Sequence, residues 1–99
     1  MHSSAPLWIA CQYGHLDVVR VLLSVDGIDP NRAKKDGQTP LSRACQNGHV
    51  DVVRLLLALP GIDVEKGAPG WPPLSLAQHF KHTAIASLLR EHAAAAPAK

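Results

Sequence analysis

The sequence contains few cysteines, few charged residues and no long apolar run. Two cysteines in 99 residues are too few for a disulfide scaffold, so we expect an intracellular, cytoplasmic protein. No apolar run approaches the roughly 20 residues of a membrane span, and the N-terminal residues contain no apolar signal-peptide core. A formal net charge of +2 is too small to predict nucleic-acid binding from charge alone. We therefore expect neither a membrane nor a nucleic-acid partner.

Residue patterns that carry catalysis or bind cofactors are also absent. The serines and histidines have no spacing that suggests a catalytic triad, and there is no glycine-rich phosphate loop. His79 and His82 are close on a predicted helix, but no further Cys or His pair stands at metal-ligand spacing. Cys11 and Cys45 are predicted to be buried thiols that pack as small apolar residues. We expect a protein that is not an enzyme and that holds no cofactor and no metal.

What the sequence does have is an internal repeat. Residues 6–31 and 40–65 align without a gap at a spacing of 34 residues, and 16 of the 26 aligned positions are identical. A weaker third copy follows 33 residues later. The apolar content of 46% is close to that of globular domains. The chain is therefore predicted to be a folded array of three similar units.

Each unit is predicted to contain two helices, and the middle unit shows the signals most clearly. Thr39 and Pro40 are typical of a helix start, because threonine caps free amides and proline suits the first helical position. Gly48 supplies the left-handed residue that ends this helix after about residue 47. A second helix begins near Val50, and its valines and leucines are too many for one narrow stripe. Such a helix is covered on more than one side, as it would be within a stack of units.

The middle unit resembles an ankyrin repeat. It carries an Asp-Gly turn, then Thr-Pro-Leu, Gly-His, a leucine run and Gly-Ile-Asp, in the order of that family's signature (residues 36–63). The resemblance covers about residues 5–92. It implies an all-α solenoid of stacked antiparallel helix pairs that carry β-hairpin or loop fingers.

The resemblance also gives the domain organisation that we expect. Residues 1–92 would form a single ankyrin-repeat domain, in which the first repeat lacks its finger. An Ala-rich flexible tail would follow at residues 93–99. The three repeats are expected at about residues 5–31, 32–64 and 65–92.

The chain departs from the family signature in three ways. The histidine that follows Thr-Pro-Leu is replaced by Trp8, Ser42 and Ser75, so its usual hydrogen bond is expected to be missing. One extra residue follows each leucine run, which should lengthen the end of the second helix. Two prolines and two glycines in residues 65–72 disfavour regular hairpin pairing in the third finger.

The resemblance implies a function in binding a partner protein. In this family the concave face is built from the finger tips and the first helix of each repeat. Exposed aromatic residues with polar neighbours on such a face are typical of an interface. The matching positions here are Ile9, Gln12 and Tyr13 in the first repeat, Lys35, Asp36, Gln38, Arg43, Gln46 and Asn47 in the second, and Trp71, Leu76, His79 and Phe80 in the third.

Two questions about this surface stay open at the level of sequence. The basic residues Arg32, Lys34, Lys35 and Arg43 would either attract an acidic partner or form a solvated face. Trp8, Ile9 and Tyr13 would either belong to the contact surface or face a missing preceding repeat, and for Trp8 we expect the second.

An alternative function is self-association. The apolar second helix of the first repeat would then pair with another copy of the chain or with missing repeats. We expect a monomer, with a homodimer through this repeat as the alternative.

The resemblance also implies one modification site. An asparaginyl hydroxylase acts on ankyrin repeats and prefers an asparagine two residues after Asp and eight after Leu. Asn31 fits this preference, with Asp29 and Leu23 at those positions. The matching position of the second repeat is Glu65, so a single site is predicted.

Overall fold

The structure, a computed structural model, describes residues 5–95, which form six helices and no strand. The helices are α1 (Ala5–Tyr13), α2 (Leu16–Leu23), α3 (Pro40–Asn47), α4 (Val50–Leu57), α5 (Pro73–His79) and α6 (Thr83–Ala95). α1, α3 and α5 pack side by side as an inner row, and α2, α4 and α6 form an outer row. Each inner helix also packs on the outer helix of its own repeat. The predicted all-α solenoid of stacked helix pairs is confirmed.

Local signals set the ends of α3. The Thr39 side chain accepts a hydrogen bond from the Ser42 amide, and the Ser42 hydroxyl accepts one from the Thr39 amide at 2.7 Å. Pro40 is the first helical residue, and Gly48 ends the helix with a φ of 79°. Both predicted signals are confirmed. The hydrogen bond expected to be missing at Ser42 is replaced by this capping box, because a serine hydroxyl is short enough to reach back to the cap.

The extra residue after each leucine run does not lengthen the outer helices, so that expectation was wrong. α2 ends at Leu23 and α4 ends at Leu57. Tight turns follow, in which the Val25 amide donates to the Leu22 oxygen and the Leu59 amide donates to the Leu56 oxygen, both at 3.1 Å. The additional residue is taken up in these i to i+3 bonds, which commonly tighten a helix end.

The two described fingers have different turns. In the second repeat the Gly37 amide donates to the Lys34 oxygen at 2.8 Å, and Gly37 has a φ of 89°. In the third, the Trp71 amide donates to the Ala68 oxygen at 2.8 Å, across a turn with Gly70 at a φ of 78°. Ala68 and Trp71 also form the one β-bridge found in residues 5–95. A proline then follows, and it has no amide hydrogen to continue the pairing.

The C-terminal helix is longer than the sequence predicted. α6 continues to Ala95, so the part of the expected flexible tail at residues 93–95 is helical, and that boundary was wrong. Alanine has the highest intrinsic helix propensity, so a run of alanines extends a helix that is already nucleated. The remainder of the expected tail, residues 96–99, lies outside the described residues.

The core runs between the two rows of helices. Its fully buried members include Leu7 on α1, Leu41 on α3 and Ile85 on α6, so each repeat contributes to it. Cys11 and Cys45 lie in the same core as free thiols, and burial raises the pKa of each to about 12. The prediction that both cysteines pack as small apolar residues is confirmed.

A histidine at the start of each later outer helix connects that repeat to the preceding one. The Nε2 atom of His49 lies 2.7 Å from the Gln12 carbonyl oxygen, and that of His82 lies 3.0 Å from the Gln46 oxygen. His15 occupies the matching position of the first repeat and is exposed. His49 and His82 therefore link each later repeat to the repeat before it.

Candidate functional site

Four of the predicted contact residues form one hydrogen-bonded row along the inner face, the surface made by the inner helices and the fingers. The Arg43 Nε atom donates to the Gln12 side-chain oxygen at 3.1 Å, and Arg43 Nη1 donates to Gln46 Oε1 at 3.0 Å. Gln38 Nε2 donates to the same Gln46 oxygen at 3.0 Å. The row connects α1, α3 and the finger of the second repeat, so these side chains are held in fixed positions.

Trp8 lies beneath two cations of the second repeat. The Lys34 Nζ atom is 4.0 Å from the centre of its ring and the Arg43 Cζ atom is 5.3 Å away, distances at which a cation is attracted by an aromatic face. Trp8 is only 7% exposed. The expectation that Trp8 faces a missing preceding repeat was therefore wrong, because the following repeat covers it. The sequence offered no signal for this contact beyond the basic character of the finger.

Three predicted residues of the third repeat form an aromatic cluster. The rings of Trp71 and His79 meet edge to face with their centres 5.1 Å apart, and those of His79 and Phe80 do so at 4.8 Å. Such T-shaped pairs are favourable arrangements of aromatic rings. Trp71 is 42% exposed and Phe80 is 44% exposed, so the cluster is ordered by its own contacts and still open to solvent.

The aromatic cluster and the hydrogen-bonded row meet at a groove, which we call the inner groove. It has a volume of about 230 Å³, smaller than the roughly 300–1,000 Å³ of pockets that hold drug-sized ligands. Its lining combines apolar and aromatic side chains with two glutamine amides. The residues that line it are Gln38, Gln46, Ala68, Trp71, Leu76, His79 and Phe80.

A second exposed apolar surface lies at the first repeat, on α1 and α2. Val18 is 49% exposed, whereas Val52, the same residue in the second repeat, is 1% exposed. Val21 and Ile9 are also exposed, at 65% and 49%. Since α2 packs on α4, a neighbouring repeat is what covers Val52, and nothing in residues 5–95 covers Val18 in the same way. We call this surface the N-terminal face.

A comparison with protein families assigns the same architecture of repeated helix pairs to this chain. A family profile for ankyrin repeats, in three copies, matches residues 2–68. The chain belongs to the ankyrin repeat family. Members of this family are in general non-catalytic interaction modules.

Among solved structures, the ankyrin chain is similar to a chain in the complex between the predatory endopeptidase Bd0816 from Bdellovibrio bacteriovorus and the immunity protein Bd3460. The TM-score is 0.83 and the sequence identity is 29%. The match covers 92% of the chain described here and 47% of the other chain, so it spans about half of that structure's length. No match was found among the curated proteins.

The remaining predicted contact residues of this ankyrin array lie outside the inner groove. Tyr13 is 61% exposed, and its ring packs near that of His15 at 6.1 Å. The Asn47 side-chain nitrogen donates to the Gln12 carbonyl oxygen at 2.9 Å, so this amide links two repeats. Lys35 and Asp36 are exposed at the tip of the second finger, where an Asp36 oxygen accepts from a main-chain amide.

Asn31, the predicted modification site, links the loops of the first two ankyrin repeats. Its side-chain nitrogen donates to the Gly61 oxygen at 2.9 Å, and its side-chain oxygen accepts from the Asp63 amide at 2.8 Å. Its own amide donates to an Asp29 carboxylate oxygen at 2.9 Å. The residue is half-buried, and both ends of its amide are engaged in the folded chain.

Sequence reasoning missed two members of this surface. Ala68 lines the inner groove, and Lys34 covers Trp8. The sequence indicates Lys34 only as a member of a basic cluster and not as a contact residue. The Pro-Gly pair at residues 69–70 is the available signal for Ala68, since this pair favours a tight turn that brings residues 68 and 71 together.

In residues 5–95, no group of three or more His, Cys, Asp or Glu side chains is placed to hold a metal ion. No helix within the same range is long and apolar enough to cross a membrane.

Proposed function

We propose that the protein is a non-enzymatic interaction module that binds a partner protein through the inner groove and the finger tips beside it. One observation carries this proposal. Six of the thirteen contact positions predicted from the sequence line a single groove, namely Gln38, Gln46, Trp71, Leu76, His79 and Phe80. The two aromatic side chains are exposed within it, and aromatic anchors in a pocket are what dominate most protein interfaces.

The rigidity of the groove supports the proposal. Gln46 receives hydrogen bonds from both Gln38 and Arg43, and His79 is packed between two rings. Side chains that are already held in place lose little conformational freedom when a partner binds. We therefore expect binding with little movement of the backbone.

The similar solved structure also supports a protein partner, because it is a complex of two proteins. The match spans about half of that chain, so neither an endopeptidase nor any other identified partner is transferred to this protein. We propose no cofactor, no nucleic-acid partner and no membrane partner. The two free buried thiols are consistent with the intracellular, cytoplasmic location that we propose.

Selection of binders from a displayed library of random peptides tests this function. We expect the selected peptides to lose about tenfold or more in affinity when Trp71→Ala or Phe80→Ala removes an anchor. Val21→Ser is the matched control, since Val21 is an exposed apolar residue on the opposite row of helices. Peptides that bind Trp71→Ala and Phe80→Ala as tightly as the unchanged protein would contradict the proposal.

Self-association through the N-terminal face is the second candidate function. It is favoured by the exposure of Val18, because the matching Val52 of the second repeat is buried. Exposed apolar patches of this kind mark interaction surfaces. Light scattering over a wide concentration range would detect a dimer. If the N-terminal face pairs with a second copy, Val21→Lys should return the mass to 10.6 kDa, whereas Trp71→Ala should not. We expect a monomer at all concentrations if only the inner groove functions.

A further inference from the structure

The inner groove adjoins a group of cations that have no carboxylate partner. In residues 5–95, no ion pair is formed by Lys34, Lys35 or Arg43. The nearest acidic residue in the sequence, Asp36, uses a carboxylate oxygen to accept from the Gln38 amide at 3.0 Å. Three cations and one carboxylate therefore lie on this side of the groove, which leaves an excess of positive charge.

Arg43 is the best placed of these cations. It is half-buried, its Nε and Nη1 atoms are bound by glutamine oxygens, and its guanidinium lies over the Trp8 ring. Neutral amides orient this group without cancelling its charge, and its Nη2 atom forms no hydrogen bond in the described part of the chain. A guanidinium that is already oriented binds a carboxylate at a smaller entropic cost than a free surface lysine does.

Arg43 is connected directly to the wall of the groove. The oxygen that receives its Nη1 hydrogen belongs to Gln46, which lines the same groove as the aromatic cluster. A partner segment that places an apolar side chain against Trp71 and Phe80 thus has its neighbouring residues beside Arg43. An apolar partner residue alone would leave the cation without a counter-charge.

We propose that the partner is a protein segment in which an acidic residue adjoins the aromatic or aliphatic residue that enters the inner groove. This inference rests on the proposed function, since it specifies the chemistry of the segment that the groove binds. The acidic side chain binds Arg43, and Lys34 and Lys35 add a weaker attraction. Exposed ion pairs are worth little, so we expect Arg43 to dominate the preference.

The test uses the same displayed library of random peptides. Peptides selected on the unchanged protein should be enriched in Asp or Glu next to an aromatic or aliphatic residue, and selection on Arg43→Gln should remove this enrichment. The decisive measurement is on the unchanged protein: replacing the acidic residue of a selected peptide by its amide should weaken binding about tenfold. The amide peptide should bind Arg43→Gln no more weakly than the acidic peptide does, because the two changes remove the same contact.

The possible outcomes distinguish a failure of the acidic preference from a failure of the proposed binding function of the inner groove. Peptides that need Trp71 but bind equally well as amides would overturn the acidic preference and leave the groove as the binding site. Peptides that are insensitive to Trp71→Ala, or a library that yields no binder, would contradict the proposed function and the inference with it. Lys35→Gln is the control, since Lys35 is exposed at the finger tip and should change affinity less than Arg43→Gln does.

Discussion

The ring of His49 fills the space in front of Gly14. A methyl group built on Gly14 would lie 2.5 Å from the His49 Nδ1 atom, and the opposite ring nitrogen lies 2.7 Å from the Gln12 carbonyl oxygen. The carbonyl can only accept, so that nitrogen carries the hydrogen. One side chain of the second repeat therefore binds the helix end of the first, and the same arrangement recurs between His82 and Gly48.

The first prediction concerns this histidine. His49→Ala should lower the free energy of unfolding by about 1 kcal/mol, because the Gln12 carbonyl oxygen loses one of its two hydrogen-bond donors and keeps only the Asn47 amide. His15→Ala is the matched control, since His15 occupies the same repeat position but is exposed, and it should cost less than about 0.5 kcal/mol. Urea denaturation measures both values, and equal losses would contradict the role given to His49.

The second prediction concerns the glycine opposite that ring. Gly14 and Gly61 both have a positive φ, 71° and 80°, so an alanine at either position costs roughly 1–2 kcal/mol in backbone strain. Only Gly14 faces a ring, since a methyl group on Gly61 meets nothing within 4 Å. Gly14→Ala should therefore be the more destabilising substitution in denaturant titrations. In a chain that also carries His49→Ala, Gly14→Ala should destabilise no more than Gly61→Ala does. If Gly14→Ala still destabilises more in that background, the His49 ring is not the cause of the difference.

The third prediction follows from the buried thiols. Burial raises the pKa of Cys11 and of Cys45 from the ordinary value of 9.0 to about 12. Between these values the unfolded chain releases protons that the folded chain keeps, so stability is full below about pH 9 and falls toward pH 12 by about 1.4 kcal/mol per pH unit for each thiol. Denaturation near pH 8 and near pH 10 measures the loss. In the Cys11→Ala, Cys45→Ala double variant that slope should be smaller, and an unchanged slope would contradict the assignment to the thiols.

The fourth prediction concerns modification of Asn31. An asparaginyl hydroxylase that acts on ankyrin repeats should add one oxygen atom to Asn31 and to no other asparagine, as detected by mass spectrometry of peptides. Because the Asn31 amide is bound at both ends, the reaction should require local opening and run faster in a destabilised variant such as Gly14→Ala. No mass gain in the folded and the destabilised protein would end the hypothesis, and Asn31→Gln provides the blank.

The repeat period predicted the fold because each local signal agreed with it. Thr39, Pro40 and Gly48 act at short range, so their effect on the ends of α3 could be deduced from the sequence. The end of α4 could not be deduced, because an added residue can extend a helix or tighten the following turn at similar cost. The composition of residues 93–95 favours an Ala-rich tail, yet the helix propensity of alanine is sufficient to continue α6.

The candidate site was only partly predictable. The repeat spacing gave the inner-row positions of Gln46 and Phe80, since residues at matching positions of successive repeats lie on one face. The position of Trp71 depends on the turn at Pro69 and Gly70, which replaces the usual finger and fixes how close the ring comes to His79. The burial of Trp8 depends on two long side chains of another repeat, and neither periodicity nor spacing specifies such a contact.

Mapping the bound surface by NMR tests the central claim most directly. Uniformly labelled protein would be titrated with a peptide from the displayed library, and shifts of the Trp71 indole and of the Gln38 and Gln46 side-chain amides would be followed. The account predicts that these signals move together and saturate at one dissociation constant, while the amides of Val18 and Val21 on the N-terminal face stay unchanged. Changes confined to Val18, Val21 and their neighbours, with the signals of the inner groove unmoved, would contradict it.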